Sequence, residues 1–201
     1  MRTKKTILMT AISMALVAAG LVMARSASAS PAAAAKAPDA AQIAKGEHLV
    51  AIAACNDCHT PKIFGPQGPS PDPAKLLSGH PRGSQLPPVP PNVLGPEGWG
   101  AIGSNDFTAW AGPWGVSFAI NLTPDLDTGI GSWNEAMFIK ALRTGKHMGE
   151  GRPILPPMPW DFYNKISDDE MKAIFAYLKS PKPISNVVPD PIPPPGPPPK
   201  H

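Results

Sequence analysis

Apolar side chains recur with helical spacing in three stretches of this chain, and the long middle lacks that rhythm. The first stretch carries Ile43, Leu49, Val50 and Ala53 behind Asp39, and it predicts a helix from Asp39 to about Ala54. The second carries Trp133, Met137, Phe138, Ala141 and Leu142. Ser132-Trp133-Asn134-Glu135 reads as a capping box at its start, and Gly145 stands where a left-handed cap would close it after Thr144. The third places Met171, Ile174, Phe175 and Leu178 on one face behind a second box, Ser167-Asp168-Asp169-Glu170, whose acidic turn suits the helix dipole; Pro181 stops it. Between the first two helices, residues 61 to about 103 are crowded with proline and glycine, which suit neither long helices nor central strands. Trp99, Phe107, Trp110, Trp114 and Phe118 punctuate or follow that stretch. Pro189 to Pro199 is nearly all proline and predicts an extended, solvated polyproline segment.

The N-terminus adds a segment of another kind. Arg2, Lys4 and Lys5 precede an apolar run from Ile7 to Met23, and Ala27-Ser28-Ala29 is a small-residue cleavage pattern. Residues 1–29 therefore read as a secretory signal, with 30–38 as an Ala/Pro/Lys spacer. An uncleaved anchor is the alternative, because the run is close to spanning length. The whole chain has 18 Lys and Arg against 15 Asp and Glu, a net charge of +3. Arg2, Lys4, Lys5 and Arg25 all lie in the signal, so the exported remainder is near −1. That balance gives no reason to expect nucleic-acid binding.

The chemistry is concentrated in Cys55-Asn56-Asp57-Cys58-His59, which holds the only 2 cysteines of the chain. C-x-x-C-H is the attachment signature of a c-type haem. Two thiols add across the two vinyl groups of the porphyrin, and the adjacent imidazole lies beneath the iron as the proximal ligand. A Cys55–Cys58 disulfide or redox dithiol competes with this reading but expects a strand next to the motif. A zinc site on Cys55, Cys58 and His59 lacks a fourth ligand pair. Export agrees with haem, because bacterial attachment takes place outside the cytoplasmic membrane. The insertion over about 61–118 is then expected to wrap the haem edge and pack on the aromatics.

The other axial position points to methionine. Beyond the signal the chain has Met137, Met148, Met158 and Met171. Met137 and Met171 fall on apolar helix faces, where methionine is ordinary core filler. Met158 sits in Leu155-Pro156-Pro157-Met158-Pro159-Trp160, where prolines lower the entropy lost on ordering the loop. Met158 is the expected distal ligand, with Met148 behind it. His48, His80 and His147 are the histidine alternatives, each read as a surface residue.

At these residues the chain resembles the class I-type bacterial cytochromes c, in their single-haem branch. The resemblance rests on residues 40–60 and 119–181: Asn121-Leu122-Thr123-Pro124-Asp125, Thr128-Gly129-Ile130-Gly131, Trp133, Ala141-Leu142-Arg143-Thr144-Gly145, Pro156-Pro157-Met158-Pro159-Trp160 and Ala173-Ile174-Phe175-Ala176-Tyr177-Leu178. It is similar to the cytochrome subunits of membrane-bound alcohol, aldehyde and nicotinate dehydrogenases. The resemblance implies an all-α, cytochrome c-like domain over 39–181, with few helices around one covalent haem c, followed by the Pro-rich tail 182–201. It implies that the first and last helices cross at Gly46, against Phe175 or Tyr177. Trp133, Asn121 and Arg152 become candidates for contacts to the haem propionates. The function it implies is that of a periplasmic single-electron carrier rather than an enzyme. Its expected partners are a dehydrogenase, a quinol-oxidising complex or a terminal oxidase; membrane contact arises only through a complex or an uncleaved signal. An electron-entry subunit of a dehydrogenase is the alternative, and a peroxidase or gas-binding protein with a displaceable Met158 is a further one.

Overall fold

In the computed structural model, residues 38–194 are described; the signal, nearly all of the spacer and the last prolines lie outside them. Helix α1 spans Ala40–Ile52, and the Asp39 carboxylate accepts the Gln42 N–H at 2.8 Å. Ala54 takes a left-handed conformation, φ 54°, which separates α1 from the five-residue helix α2, Cys55–His59. The attachment motif is thus a helix of its own rather than the end of α1. Helix α3 spans Glu135–Thr144, α4 spans Trp160–Tyr163 and α5 spans Asp168–Leu178.

The α5 box forms as read: the Ser167 hydroxyl accepts from the Glu170 N–H, and the Glu170 carboxylate accepts from the Ser167 N–H at 3.0 Å. Gly145 closes α3 at φ 65°. The start of α3 differs from the sequence reading. Asn134, not Ser132, is its cap, accepting the Met137 N–H at 2.8 Å. The Trp133 N–H is held by Ile130 O in the preceding turn at 3.1 Å, and its indole is buried. Burying that large ring takes Ser132 and Trp133 out of the helix.

Helices α1 and α5 cross tightly. A Cβ on Gly46 would run into the carbonyl of Ala173 and come within 2.8 Å of Tyr177 Cβ, so only glycine allows this approach. Val50, Met171, Ile174, Phe175 and Leu178 fill the core between α1, α3 and α5. Arg143 links α3 to the segment ahead of α5: its guanidinium donates to Ile166 O at 2.7 Å, to Asn164 O and to the Asp168 carboxylate at 2.7 Å.

The all-α expectation is wrong. Among the described residues, five helices are joined by two antiparallel sheets, so the fold is mixed. Strands β1 (Lys62–Gly65) and β2 (Gly68–Pro71) form a hairpin with a two-residue turn, pairing Gly65 with Gly68, Phe64 with Pro69 and Lys62 with Pro71. Pairs alternate along such a ladder between hydrogen-bonded and not. Gly65–Gly68 closes the turn as a bonded pair, so Pro69 and Pro71 fall at the unbonded positions and no ladder bond is lost. Strands β3 (Ile102–Gly103), β4 (Ala109–Gly112) and β5 (Gly115–Phe118) form the second sheet in that order. Between the sheets, Leu77–His80 turns inward, with Leu77 and His80 almost fully buried, whereas Trp99 is 68 % exposed.

Over its described part the tail is largely exposed, but it is fastened at two points. Ile192 forms an antiparallel bridge with Val116 of β5, and Asn186 is hydrogen-bonded to Ser78, His80, Arg82 and Thr128. Among the described residues no helix is long and apolar enough to cross a membrane.

Candidate functional site

An apolar cavity of about 400 Å³ opens between α2, the end of β5, α3 and the loop ahead of α4. Cys55, Cys58 and His59 stand on one side of its lining, and Met158 comes from the proline loop. Met137, Met148 and Met171 do not line it. Met171 is fully buried in the core, and Met148 is on the surface.

Helix α2 is held at its C-terminal end by groups the sequence reading passed over. Lys62 Nζ donates to Thr60 O at 2.6 Å, Asp57 O at 2.8 Å and Asn56 O at 3.3 Å, so a cation covers the carbonyls at the helix end. The buried Thr60 hydroxyl donates to Asn56 Oδ1 at 2.8 Å and accepts the Leu77 N–H at 2.8 Å. A lysine three residues beyond the histidine was the available signal.

His59 is buried, and its Nδ1 hydrogen bonds to Ile120 O at 2.8 Å. A carbonyl only accepts, so Nδ1 carries the hydrogen and Nε2 keeps the lone pair a metal needs. Burial holds the ring below its ordinary pKa, which favours the neutral, ligating form. Burial also pushes the Cys55 thiol up to about 11 and raises that of Cys58. The two cysteines are not bonded to each other.

The Met158 loop is fastened from β5. The Ser117 hydroxyl donates to Pro156 O at 2.6 Å, two residues before Met158. Trp160 packs against Gly145, where a Cβ would come within 2.6 Å of its ring. The Tyr163 hydroxyl donates to Ala53 O at 2.5 Å and ties α4 to the end of α1. The loop after α3 is pinned as well: Ile154 N–H donates to Gly145 O at 2.8 Å and His147 N–H to Arg152 O at 2.9 Å.

A second cavity, also about 400 Å³, adjoins the first and shares Ile120, Ile130, Trp133, His147 and Arg152 with it. Trp133 meets His147 edge to face, with ring centroids 5.0 Å apart. Asn121 lines only the second cavity, and its amide is committed: Nδ2 donates to Ile184 O and Thr128 Oγ1, and Oδ1 accepts from the Thr123 N–H and hydroxyl. His48 is exposed, while His80 is only 1 % exposed, contrary to the surface reading, and stands outside both linings. Of the insertion, only Trp110, Ser117 and Phe118 reach the main cavity; residues 61–109 contribute nothing to its wall.

The donor set suits a covalently held haem better than a bare ion. Among the described residues no group of three His, Cys, Asp or Glu side chains is placed to hold a metal ion, which counts against zinc on Cys55, Cys58 and His59. Haem makes no such demand, since the thiols bond to the porphyrin edge and only the imidazole and a distal group reach iron. The His59 imidazole beside two thiols, with one thioether in the same apolar lining, matches that requirement; His147 is a second imidazole in that lining.

No family model matches the chain. A nicotinate dehydrogenase subunit of Pseudomonas putida is 39% identical over 77 residues, 38% of this chain and 6% of that protein. The fructose dehydrogenase cytochrome subunit of Gluconobacter japonicus is 37% identical over 70 residues, 35% of this chain and 14% of that subunit. The gluconate 2-dehydrogenase cytochrome c subunit of Pantoea cypripedii is 41% identical over 68 residues, 34% of this chain and 15% of that subunit. The matches thus cover about a third of this chain and a small fraction of each relative. The relatives include cytochrome c subunits of dehydrogenases, which supports an electron-transfer cytochrome role for this chain.

Proposed function

We propose that this chain is a periplasmic single-electron carrier of the single-haem, class I type. In this reading Cys55 and Cys58 hold one haem c by thioether bonds, and His59 and Met158 are its axial ligands. The signal is residues 1–29, and the cytochrome domain runs over 39–181 with the tail packed on it. The observation that carries the reading is the convergence of both thiols, the His59 imidazole and a single methionine on one apolar cavity.

When bound, the haem supplies a one-electron couple whose potential the axial ligands and the surrounding dielectric set. The protein's part is positional. His59 is oriented by Ile120 O, which fixes its tautomer and makes the ring a stronger donor. Met158 is held by a loop tied to Ser117, so little rearrangement accompanies a change of charge in the cavity. Trp133 and Arg152 stand where the two cavities meet and are the candidates to receive the propionates. Asn121 serves that side by holding the tail and the Thr123–Thr128 turn. No bond of a substrate is made or broken in this scheme.

The relatives favour one partner class above the others, a dehydrogenase that gives up electrons to the cytochrome. Whether the chain is its bound subunit or a diffusing acceptor is decided by purification from native cells: a stable complex supports the subunit reading, and a free monomer the carrier reading. The haem assignment is tested by the pyridine haemochrome spectrum of denatured protein, where a c-type spectrum surviving acid–acetone extraction is expected. Extractable haem or none at all contradicts it.

A further inference from the structure

Among the described residues of the C-terminal proline run, Ile192 bonds like a strand residue, and it stands beside a strand edge. Proline has no N–H to donate. Within Pro191-Ile192-Pro193-Pro194 only Ile192 has one. That N–H donates to Val116 O at 2.9 Å, and Ile192 O accepts the Val116 N–H at 2.8 Å. Gly115 leaves the room: a Cβ there would run into Ile192 O and come within 2.7 Å of Pro193 C.

Upstream, the chain is fixed a second time. Asn186 Nδ2 donates to Ser78 O at 2.7 Å and His80 O at 2.9 Å, while its Oδ1 accepts the Arg82 N–H at 2.9 Å. Between the two anchors, Val187, Val188, Pro189 and Asp190 line the second cavity, and Pro191 lines the main one.

We infer that residues 184–192 form a strap that walls the cofactor cavity, with Ile192 as the positioning residue that sets Pro191 in the wall. The inference rests on the haem reading above. Hydrogen bonds rather than buried side chains hold the strap, since Ile192 is 51 % and Val187 52 % exposed. A segment fastened in this way opens locally without global unfolding. Losing one ladder bond therefore acts mainly on that opening. The closed strap keeps water and small ligands away from the iron.

The test compares the wild-type holoprotein with Ile192→Pro and Ile192→Val. Proline removes the donated bond in a segment already rich in proline; valine keeps the N–H and the β-branched side chain. The readouts are the rate at which ferric protein takes up imidazole and the hydrogen exchange of the Val116 amide. Ile192→Pro is expected to speed both by about fivefold or more, the factor one net hydrogen bond implies, with the melting midpoint lowered by only a few degrees. Ile192→Val restores the slow rates. Wild-type rates in Ile192→Pro overturn the strap while leaving the haem reading intact. Absence of covalent haem in the wild type overturns both.

Discussion

Nδ1 of His59 lies 2.8 Å from the carbonyl oxygen of Ile120, across 61 positions of sequence. That carbonyl is itself held from behind. Residues Leu77–His80 pass beneath it, with the Gly79 N–H donating to His59 O at 2.8 Å and the His80 N–H donating to Ala119 O at 2.9 Å. The geometry of the His59 imidazole therefore depends on a segment that contributes nothing to the cavity wall.

Gly79 is where this support is closest. Its φ is +77°, and a Cβ there would lie 2.5 Å from Ala119 O and 2.6 Å from Ile120 C. Gly79→Ala is expected to destabilise the protein by about 2 kcal/mol or more, combining backbone strain with overpacking. Moving the Ile120 carbonyl away weakens its hold on Nδ1–H and makes the imidazole a poorer donor, so the reduction potential should rise. Denaturant titration and potentiometry read the two effects separately.

Met158→Ala should abolish the weak methionine–ferric-iron absorption band and lower the potential by on the order of 0.1–0.3 V, part of the roughly 0.8 V range that axial ligands span. Met148→Ala should leave both unchanged, because that side chain is on the surface and outside the cavity. A retained band in Met158→Ala would assign the position to another group.

Much of this site can be read from the residues alone, because its chemistry is written in short, local patterns. Cys55, Cys58 and His59 are adjacent in sequence, and the prolines around Met158 mark that loop. Asp39 and Ser167 start helices with local hydrogen bonds that sequence reading can anticipate. The strands are harder to see. Ala109–Gly112 is alanine, tryptophan, alanine and glycine, and Gly115–Phe118 has a single β-branched residue and only three alternating positions, so neither four-residue segment is long enough to stand out as a strand. Prolines in Gly68–Pro71 argue against a strand until the register shows that they sit at unbonded positions. Ile120 and Ile192 act through their backbones, which side-chain chemistry does not announce.

The α1–α5 crossing sets the frame that carries α2. Gly46→Ala is expected to destabilise the fold by about 1–3 kcal/mol, since the new methyl group meets the Ala173 carbonyl rather than a side chain able to move aside. Thermal unfolding of the purified protein measures this. An unchanged midpoint would mean the two helices part without cost.

Burial holds the His80 ring below its ordinary pKa of 6.5, against a smaller opposing pull from Asp106. His147 is lowered too, by burial and then by Arg152. The unfolded chain takes up these protons as pH falls through about 6.5, and the folded protein does so only at lower pH. Stability is therefore complete above 6.5 and is lost as pH falls below it, at up to ~1.4 kcal/mol per pH unit per group. His80→Gln, whose amide can still bond to Thr108, should flatten this slope in urea titrations between pH 7.5 and 5. An unaltered slope would remove His80 from the acid response.

The central claim is a single covalent haem between His59 and Met158, cycling by one electron. A redox titration of the purified holoprotein, followed by visible spectra, tests it most directly. One haem per chain is expected, with one Nernstian transition of about 59 mV per tenfold change in ratio and the methionine band in the oxidised form only. A two-electron transition, or an oxidised spectrum without that band, would contradict it.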